Sequence, residues 1–311
     1  MVEPLIWHLL KKPIKSIKTM KLDMITFRVS IMPDGCTAGA KIIGDRYYLL
    51  KNRDLIWGGF RDSIVFDKDV FFVTGVNVGD GEACGASFGF NKSGLAGCNT
   101  TVLVTPHNAY DALLERIFRE TKSIEEAFEL VRTDLKSGNR YQWCNFVLAS
   151  PEGVGAIEIG DGVAVLEKSP KIITRTNHHL ILPTADILRR ASMAEREAGG
   201  PLTTSQRRRQ EAAKLLAEAT SLMDMTQLLS THRDGRGFDS ICRHSCSNPR
   251  SEPYLGETVY SYVAEVSGID TDTLEFRIKV AAGNPCTSTY DEFVVDFESP
   301  ESKYNLMSSF P

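Results

Sequence analysis

The chain has 311 residues, 42% hydrophobic and 24% charged, with a formal net charge of −4. That is globular usage, enough for one large domain or two small ones. No basic patch interleaves with aromatics, so no nucleic-acid partner is expected, and no apolar run approaches the roughly 18 residues of a membrane span.

Residues 1–35 hold five Lys and one Arg against three acids, a net of +3, which leaves −7 for residues 36–311. A basic leader on an acidic body reads as a detachable segment docked by charge, or as a solvated tail. Its apolar run at 4–10 precedes the lysines, the reverse of a signal peptide, and Met20, Met24 and Met32 are alternative starts. The chain's seven Cys are irregularly spaced. They read as free thiols in a reducing, cytoplasmic compartment.

Residues 36–104 are expected to be β-rich. Strands at 41–43 and 47–51 flank the turn dipeptide Gly44-Asp45. Another is expected at 70–74, and 86–91 and 95–104 flank Lys92-Ser93-Gly94. Periodicity turns helical over 108–137, with Ala112, Leu113, Ile117 and Phe118 as one stripe. Ser123 and Glu126 form a capping box, and Gly138 is a stop. Strands return at 145–149, 155–159, 163–166 and 172–175, helices at 205–219 and 225–230, and strands at 258–266 and 273–281. The stretch 233–256 reads as a long loop. Segregated runs of this kind make packed layers of sheet and helix, and no composition shift marks a linker.

The chemistry concentrates at Asp34-Gly35-Cys36-Thr37. A Cys after a Gly, followed by a small hydroxyl residue, reads as a peptide bond meant to break. Cleavage between Gly35 and Cys36 would put a thiol nucleophile and an α-amine base on one residue. The amine's usual pKa of about 7.7–8.0 suits general-base work at neutral pH. A new amine needs an acceptor to orient it, and the 41–51 hairpin brings Asp54 back beside Cys36. A buried small hydrophobe is what a free Cys usually is. A papain-like site would need Cys36 at a helix start, where strand is expected instead.

These strings resemble the acyl-coenzyme A:isopenicillin N acyltransferase family of N-terminal-nucleophile (Ntn) cysteine enzymes. The strings are D-G-C-T at 34–37, N-R-D at 52–54 and G-F-N-K-S-G-L-A at 89–96 with Asn99. T-N-H at 176–178, D-S-I-C-R at 239–243 and G-N-P-C at 283–286 complete the series. The resemblance implies an α+β fold, a four-layer αββα sandwich at residues 36–311, behind a leader at 1–35 removed by autoproteolysis. It implies Cys36 as nucleophile, Asp54 as the carboxylate orienting its amine, Asn177 as an oxyanion-hole donor and Asn99 as an Asn beside the scissile carbonyl. Arg53 stands where some relatives have Trp, a cation able to lower the thiol pKa.

The expected activity is autoproteolytic hydrolysis of a linear amide through a thioester on Cys36. Acyl transfer from an acyl-coenzyme A or amide to an amine is the alternative, and a non-catalytic, uncleaved binding protein a further one. The partner is a small-molecule amide or acyl-CoA; the chemistry needs no cofactor.

Other polar residues carry less. Adjacent His178 and His179 point to opposite faces of a strand and do not share a metal. Cys242, His244 and Cys246 lack a fourth ligand at zinc spacing, so no metal is expected. Arg243 reads as a partner for a substrate carboxylate or for a buried acid such as Glu158. The arginines at 207–209 read as a solvated helix face.

Overall fold

Strand β1 (Cys36–Ile43) turns at Gly44 and returns as β2 (Arg46–Leu55), an antiparallel hairpin in which Cys36 lies opposite Arg53. Gly44 sits at φ +60°, the left-handed turn conformation that glycine adopts without cost. This hairpin is the centre of the molecule. The computed structural model describes residues 35–55, 61–77, 81–182, 200–233, 237, 239–244, 257–269 and 273–311. Residues 1–34 of the expected leader, 1–35, and most of the expected loop at 233–256 lie outside the described residues.

Seven strands make one antiparallel sheet in simple chain order. They are β3 (Ile64–Phe66), β4 (Val70–Val76), β5 (Ala83–Asn91), β6 (Ala96–Leu103), β7 (Trp143–Ser150), β8 (Gly153–Gly160) and β9 (Val163–Ser169). The hairpin belongs to a six-stranded sheet with β10 (Ile172–Arg175), β11 (Glu257–Ser267), β12 (Glu275–Ala282) and β13 (Asp291–Val295). Its order is β10-β1-β2-β11-β12-β13.

Strand alternation explains how the layers assemble. On β2, Tyr47 and Leu49 face the other sheet, where they meet Phe71, Phe88, Phe90 and Val147. Phe88 stacks on Tyr262 at 5.2 Å and Phe90 on Phe276 at 5.1 Å, so rings from both sheets interlock. Such pairs add about 0.5–1.5 kcal/mol each beyond area burial. Tyr48 and Leu50 point the opposite way, under helices α3 (Pro201–Glu218) and α4 (Leu222–Leu229). Helices α1 (Tyr110–Glu120) and α2 (Ile124–Lys136) cover the far face of the seven-stranded sheet through Leu113, Leu114, Ile117, Phe118 and Val131. The result is the expected α+β, four-layer αββα sandwich.

Details depart from the sequence reading. Ala112 is exposed and Leu114 is buried in its place, because the stripe runs 110, 113, 114, 117, 118. Ser123 caps α2 by accepting from Glu126 N at 3.2 Å, while the Glu126 carboxylate reaches Lys122 N rather than the cap itself. Helix α4 starts three residues early, fixed by a capping box of Ser221 and Asp224. Strands β3 and β13 and helix α5 (Pro300–Ser309) carry little sequence signal. The first has three residues, and α5 buries Leu306 alone. Among the described residues no helix is long and apolar enough to cross a membrane.

Candidate active site

Cys36 opens β1 and is buried, 6% exposed. It lies on a strand, so the papain-like arrangement does not apply. Directly opposed residues of an antiparallel pair share a face, so the thiol looks toward the inter-sheet space with Arg53. Alternation then divides the run Lys51-Asn52-Arg53-Asp54. Lys51 and Arg53 reach the second sheet, while Asn52 and Asp54 reach the loops under the helix layer.

On the inter-sheet side, Lys51 is 1% exposed. Its ammonium donates to Ser87 Oγ at 2.6 Å, Asn99 Oδ1 at 2.9 Å and Ser87 O at 3.3 Å. Asn99 in turn donates to Asp111 Oδ1 at 2.9 Å and Ala86 O at 3.1 Å. Arg53 pairs with Asp62, which also accepts from the Tyr262 hydroxyl, and donates to Thr74 O at 3.0 Å. Burial pushes the Cys36 thiol up; the Lys51 charge pulls it back, with smaller pulls from the Asp54 backbone N–H and Arg53, while the Asp54 charge raises it. Of the two cations, Lys51 acts on the thiol more strongly than Arg53.

Asp111 stands at the start of α1 with its Oδ2 lacking a hydrogen-bond partner. Burial raises its carboxyl to about 7, against the opposing charges of Lys51 and Arg53. Gly75 and Gly85 let α1 approach this closely. A Cβ on Gly75 would lie 2.3 Å from Asp111 Oδ1, and one on Gly85 2.2 Å from Asp111 backbone.

On the other side, the backbone of Gly35-Cys36 is held at three points, and one of its partners is held in turn. Asp54 N donates to Gly35 O at 2.9 Å. Cys36 N donates to Asn177 Oδ1 at 3.1 Å, and Arg208 donates to Cys36 O at 2.8 Å and Asn177 Oδ1 at 2.7 Å. Asp54 Oδ1 accepts from the Thr258 hydroxyl at 2.7 Å, and its Oδ2 lies 3.4 Å from Arg243 Nη1. Desolvation raises the Asp54 carboxyl, opposed by Arg243, Arg208 and the Thr258 hydroxyl. A Cβ at Gly35 would fall 1.6 Å from Arg243 Nη1 and 2.8 Å from Asp54 Oδ2, so both charged groups rest on a glycine that has no side chain to displace them.

Three expectations are corrected here. Asn177 does not present a donor at the Gly35 carbonyl. Its Nδ2 is committed to Thr101 O at 2.8 Å, and a guanidinium, which only donates, fixes Oδ1 toward Cys36 N. Arg208 is not on a solvated face: it is 2% exposed, in phase with Ala212 and Leu216 on the buried stripe of α3. Arg243 does not pair with Glu158, which takes Arg175 as its buried partner at 3.0 Å.

The remaining candidates separate. His178 Nδ1 meets Ser205 Oγ at 2.8 Å and His179 Nε2 meets Cys144 O at 3.1 Å, on different neighbours. Burial lowers His178 to about 3, so its imidazole is neutral. Cys242 and His244 lie together, and the partners their own string lacks, His232 and Cys286, come from two other segments. Cys246 lies outside the described residues.

Sequence reasoning missed Lys51, Arg208, Thr258 and Asp111. Only Arg208 left a readable signal, its i, i+4, i+8 spacing to Ala212 and Leu216.

A cysteine thus opens a central strand of an αββα sandwich, with its own amide nitrogen held by a side-chain acceptor. The family model for acyl-coenzyme A:6-aminopenicillanic acid acyl-transferase matches residues 44–260, well over half of the chain, and the chain belongs to that family. Membership places it among hydrolases of carbon–nitrogen bonds other than peptide bonds and acyltransferases. The match begins after Cys36. Among solved structures, penicillin V acylase from Agrobacterium tumefaciens aligns with a TM-score of 0.49 and 12% identity, over 84% of this chain and 86% of that one. A single-residue variant of conjugated bile acid hydrolase from Clostridium perfringens aligns with a TM-score of 0.44 and 10% identity, over 84% and 97%. A comparison with curated proteins gives no match.

Proposed function

We propose that this chain is an autoproteolytic cysteine amidohydrolase that cleaves a linear amide through a thioester on Cys36. The observation that carries the reading is the Gly35-Cys36 junction. Its carbonyl accepts from Asp54 N at 2.9 Å while the same N–H favours the Cys36 thiolate. Nucleophile and scissile carbonyl thus share one donor.

In the first step the Cys36 thiol attacks the Gly35 carbonyl carbon, and Asp54 N–H stabilises the oxygen that becomes negative. Collapse breaks the C–N bond, moves the acyl group to sulfur and leaves the nitrogen of Cys36 as an amine. Water then hydrolyses the thioester and releases the leader, 1–35. The freed amine stays with its acceptor, Asn177 Oδ1, at 3.1 Å in the intact chain, and Arg208 holds that acceptor in place. Asp54 supports the same region from the Gly35 side.

In turnover the amine takes the thiol proton, sulfur attacks the substrate amide, and the amine leaving group departs with a proton. Water completes hydrolysis. Lys51 contributes positive charge near the sulfur and Asn99 holds Lys51, a positioning role. The small-molecule amide enters where Gly35 leaves.

Acyl transfer is the second reading, favoured by the name of the family. The same thioester would form from an acyl-CoA and pass to an amine. Intact mass spectrometry of the purified full chain tests the proposal. Loss or separation of residues 1–35, abolished in Cys36→Ala, is expected. An intact chain whose Cys36 also ignores an electrophilic acyl probe would leave only the non-catalytic binding protein. Supplying an acyl-CoA with and without an amine acceptor then separates transfer from hydrolysis by the product formed.

A further inference from the structure

Outside the candidate active site, His232, Cys242, His244 and Cys286 gather from three separate segments. One donor atom from each lies within 4.8 Å of all the others. His232 Nε2 and His244 Nε2 are 3.0 Å apart, and His244 Nε2 is 3.3 Å from Cys286 Sγ and 3.7 Å from Cys242 Sγ. Around a tetrahedral ion with metal–nitrogen bonds near 2.05 Å and metal–sulfur bonds near 2.3 Å, neighbouring donors sit about 3.3 Å apart for N and N and about 3.6 Å for N and S. The observed separations fall within a few tenths of an ångström of these.

We propose that these four side chains form a closed Cys2His2 site for a zinc-class divalent ion. Softness and number of donors both argue for that class: two thiolates and two imidazoles suit zinc, and four protein ligands leave no position for substrate, as in structural sites. The ligands are preorganised by hydrogen bonds that do not use their side chains. Cys242 N donates to Thr231 O at 3.0 Å, Ser230 Oγ donates to Pro285 O at 3.0 Å, and Asn284 Nδ2 donates to Arg243 O at 2.7 Å. These three contacts join the end of α4, the 240–244 turn and the turn after β12.

The site has a consequence for its neighbour. Cys242 and His244 turn to the donor cluster, while Arg243, between them, turns to Asp54. The ion would clamp both sides of the residue that rests on Gly35. This inference is independent of the hydrolase reading, because metal content is measured without turnover.

The test uses the untagged full chain, purified without chelator and loaded with zinc. Elemental analysis should find one zinc per chain, and cobalt in its place should give the visible bands of a tetrahedral site with thiolate ligands. Cys286→Ser and His232→Ala should each lose the metal, and Cys246→Ser should keep it. In the unmodified protein, Cys242 and Cys286 should resist alkylation until a chelator is added, which keeps the test valid if the variants fail to fold. Hydrogen exchange across 240–244 should rise on chelation while α1 stays unchanged. The proposal is overturned if zinc-loaded protein retains no metal, or if both thiols are alkylated freely in it. Protection relieved only by a reductant, the mark of a Cys242–Cys286 disulfide, overturns it equally, as does loss of the metal in Cys246→Ser.

Discussion

Gly35→Ala tests how tightly the charged groups close on the junction. The new methyl would lie 1.6 Å from Arg243 Nη1 and 2.8 Å from Asp54 Oδ2. Arg243 Nη1 is the end of a flexible side chain, so it moves first and the backbone is spared. Its movement breaks the 3.4 Å contact with Asp54, whose side chain is fully buried. Asp54 keeps its hydrogen bond from Thr258, so the loss is that of one charge-assisted hydrogen bond, about 1.5–3 kcal/mol. At about 2 °C per kcal/mol for a chain of this size, melting should fall by about 3–6 °C. If the same contact holds the Gly35 carbonyl for attack, the full loss would slow cleavage by about tenfold to a hundredfold. Thermal unfolding and a mass-spectrometric time course read both effects. A double-mutant cycle with Arg243→Ala isolates the cause, because the methyl should cost less once the guanidinium is gone. Unchanged melting and cleavage in Gly35→Ala, or full additivity in the cycle, would refute the idea that Arg243 rests on Gly35.

Charges around the thiol act with opposite sign. Lys51→Met should raise the midpoint of the pH–rate profile for Cys36 alkylation and Asp54→Asn should lower it; shifts in one direction for both would be inconsistent with the arrangement described. Arg208→Ala should cost about 2–3 kcal/mol, since it strips charge-assisted bonds from Cys36 O and Asn177 Oδ1, whereas exposed Arg207→Ala should stay within about 0.5 kcal/mol; equal melting temperatures would return Arg208 to the surface. Asp111 supplies a pH dependence: its folded pKa of about 7 exceeds the unfolded value, so the folded chain keeps a proton that the unfolded chain has lost. The penalty is absent below about pH 4, grows as pH rises to 7 and reaches a few kcal/mol above it. Asp111→Asn should therefore flatten the fall in stability between pH 5 and 8, and identical slopes in denaturant titrations at those pH values would show that Asp111 does not carry it.

Much of the fold was legible because its signals are local. Gly44-Asp45 between two apolar runs dictates a hairpin, and the hairpin puts Cys36 opposite Arg53 without further information. The helix over 110–120 announced itself by period. What the sequence hid depends on long-range pairing. Thr258 meets Asp54 because β11 lies beside β2, although the two residues are 204 positions apart. Lys51 reads as one more charged residue of a strand until the second sheet supplies Ser87 and Asn99. Asn177, expected as an oxyanion-hole donor, turns its oxygen to Cys36 N instead, and nothing local reveals that Arg208, from helix α3, faces it. The zinc-type donors illustrate the same limit: Cys242-Arg243-His244 is visible in one string, while His232 and Cys286 arrive by topology.

On the proposed reading, the two sides of the hairpin end let one short string serve both cleavage and turnover. Alternation sends Lys51 toward the sulfur and Asp54 toward the peptide bond, so the charge that favours the thiolate and the N–H that meets the carbonyl are delivered by the same strand. In the intact chain the Gly35 carbonyl fills the position beside Asp54 N. On the proposed reading its departure frees that donor, the contact surface of Asp54 and Arg243, and the amine on Asn177 in a single event. The leader then behaves as the first substrate, and a later amide finds the donor already aimed. It follows that changes at Asp54 N, reachable only through the backbone geometry of β2, would impair cleavage and turnover together, whereas changes at Lys51 act on the sulfur in both states without touching the carbonyl.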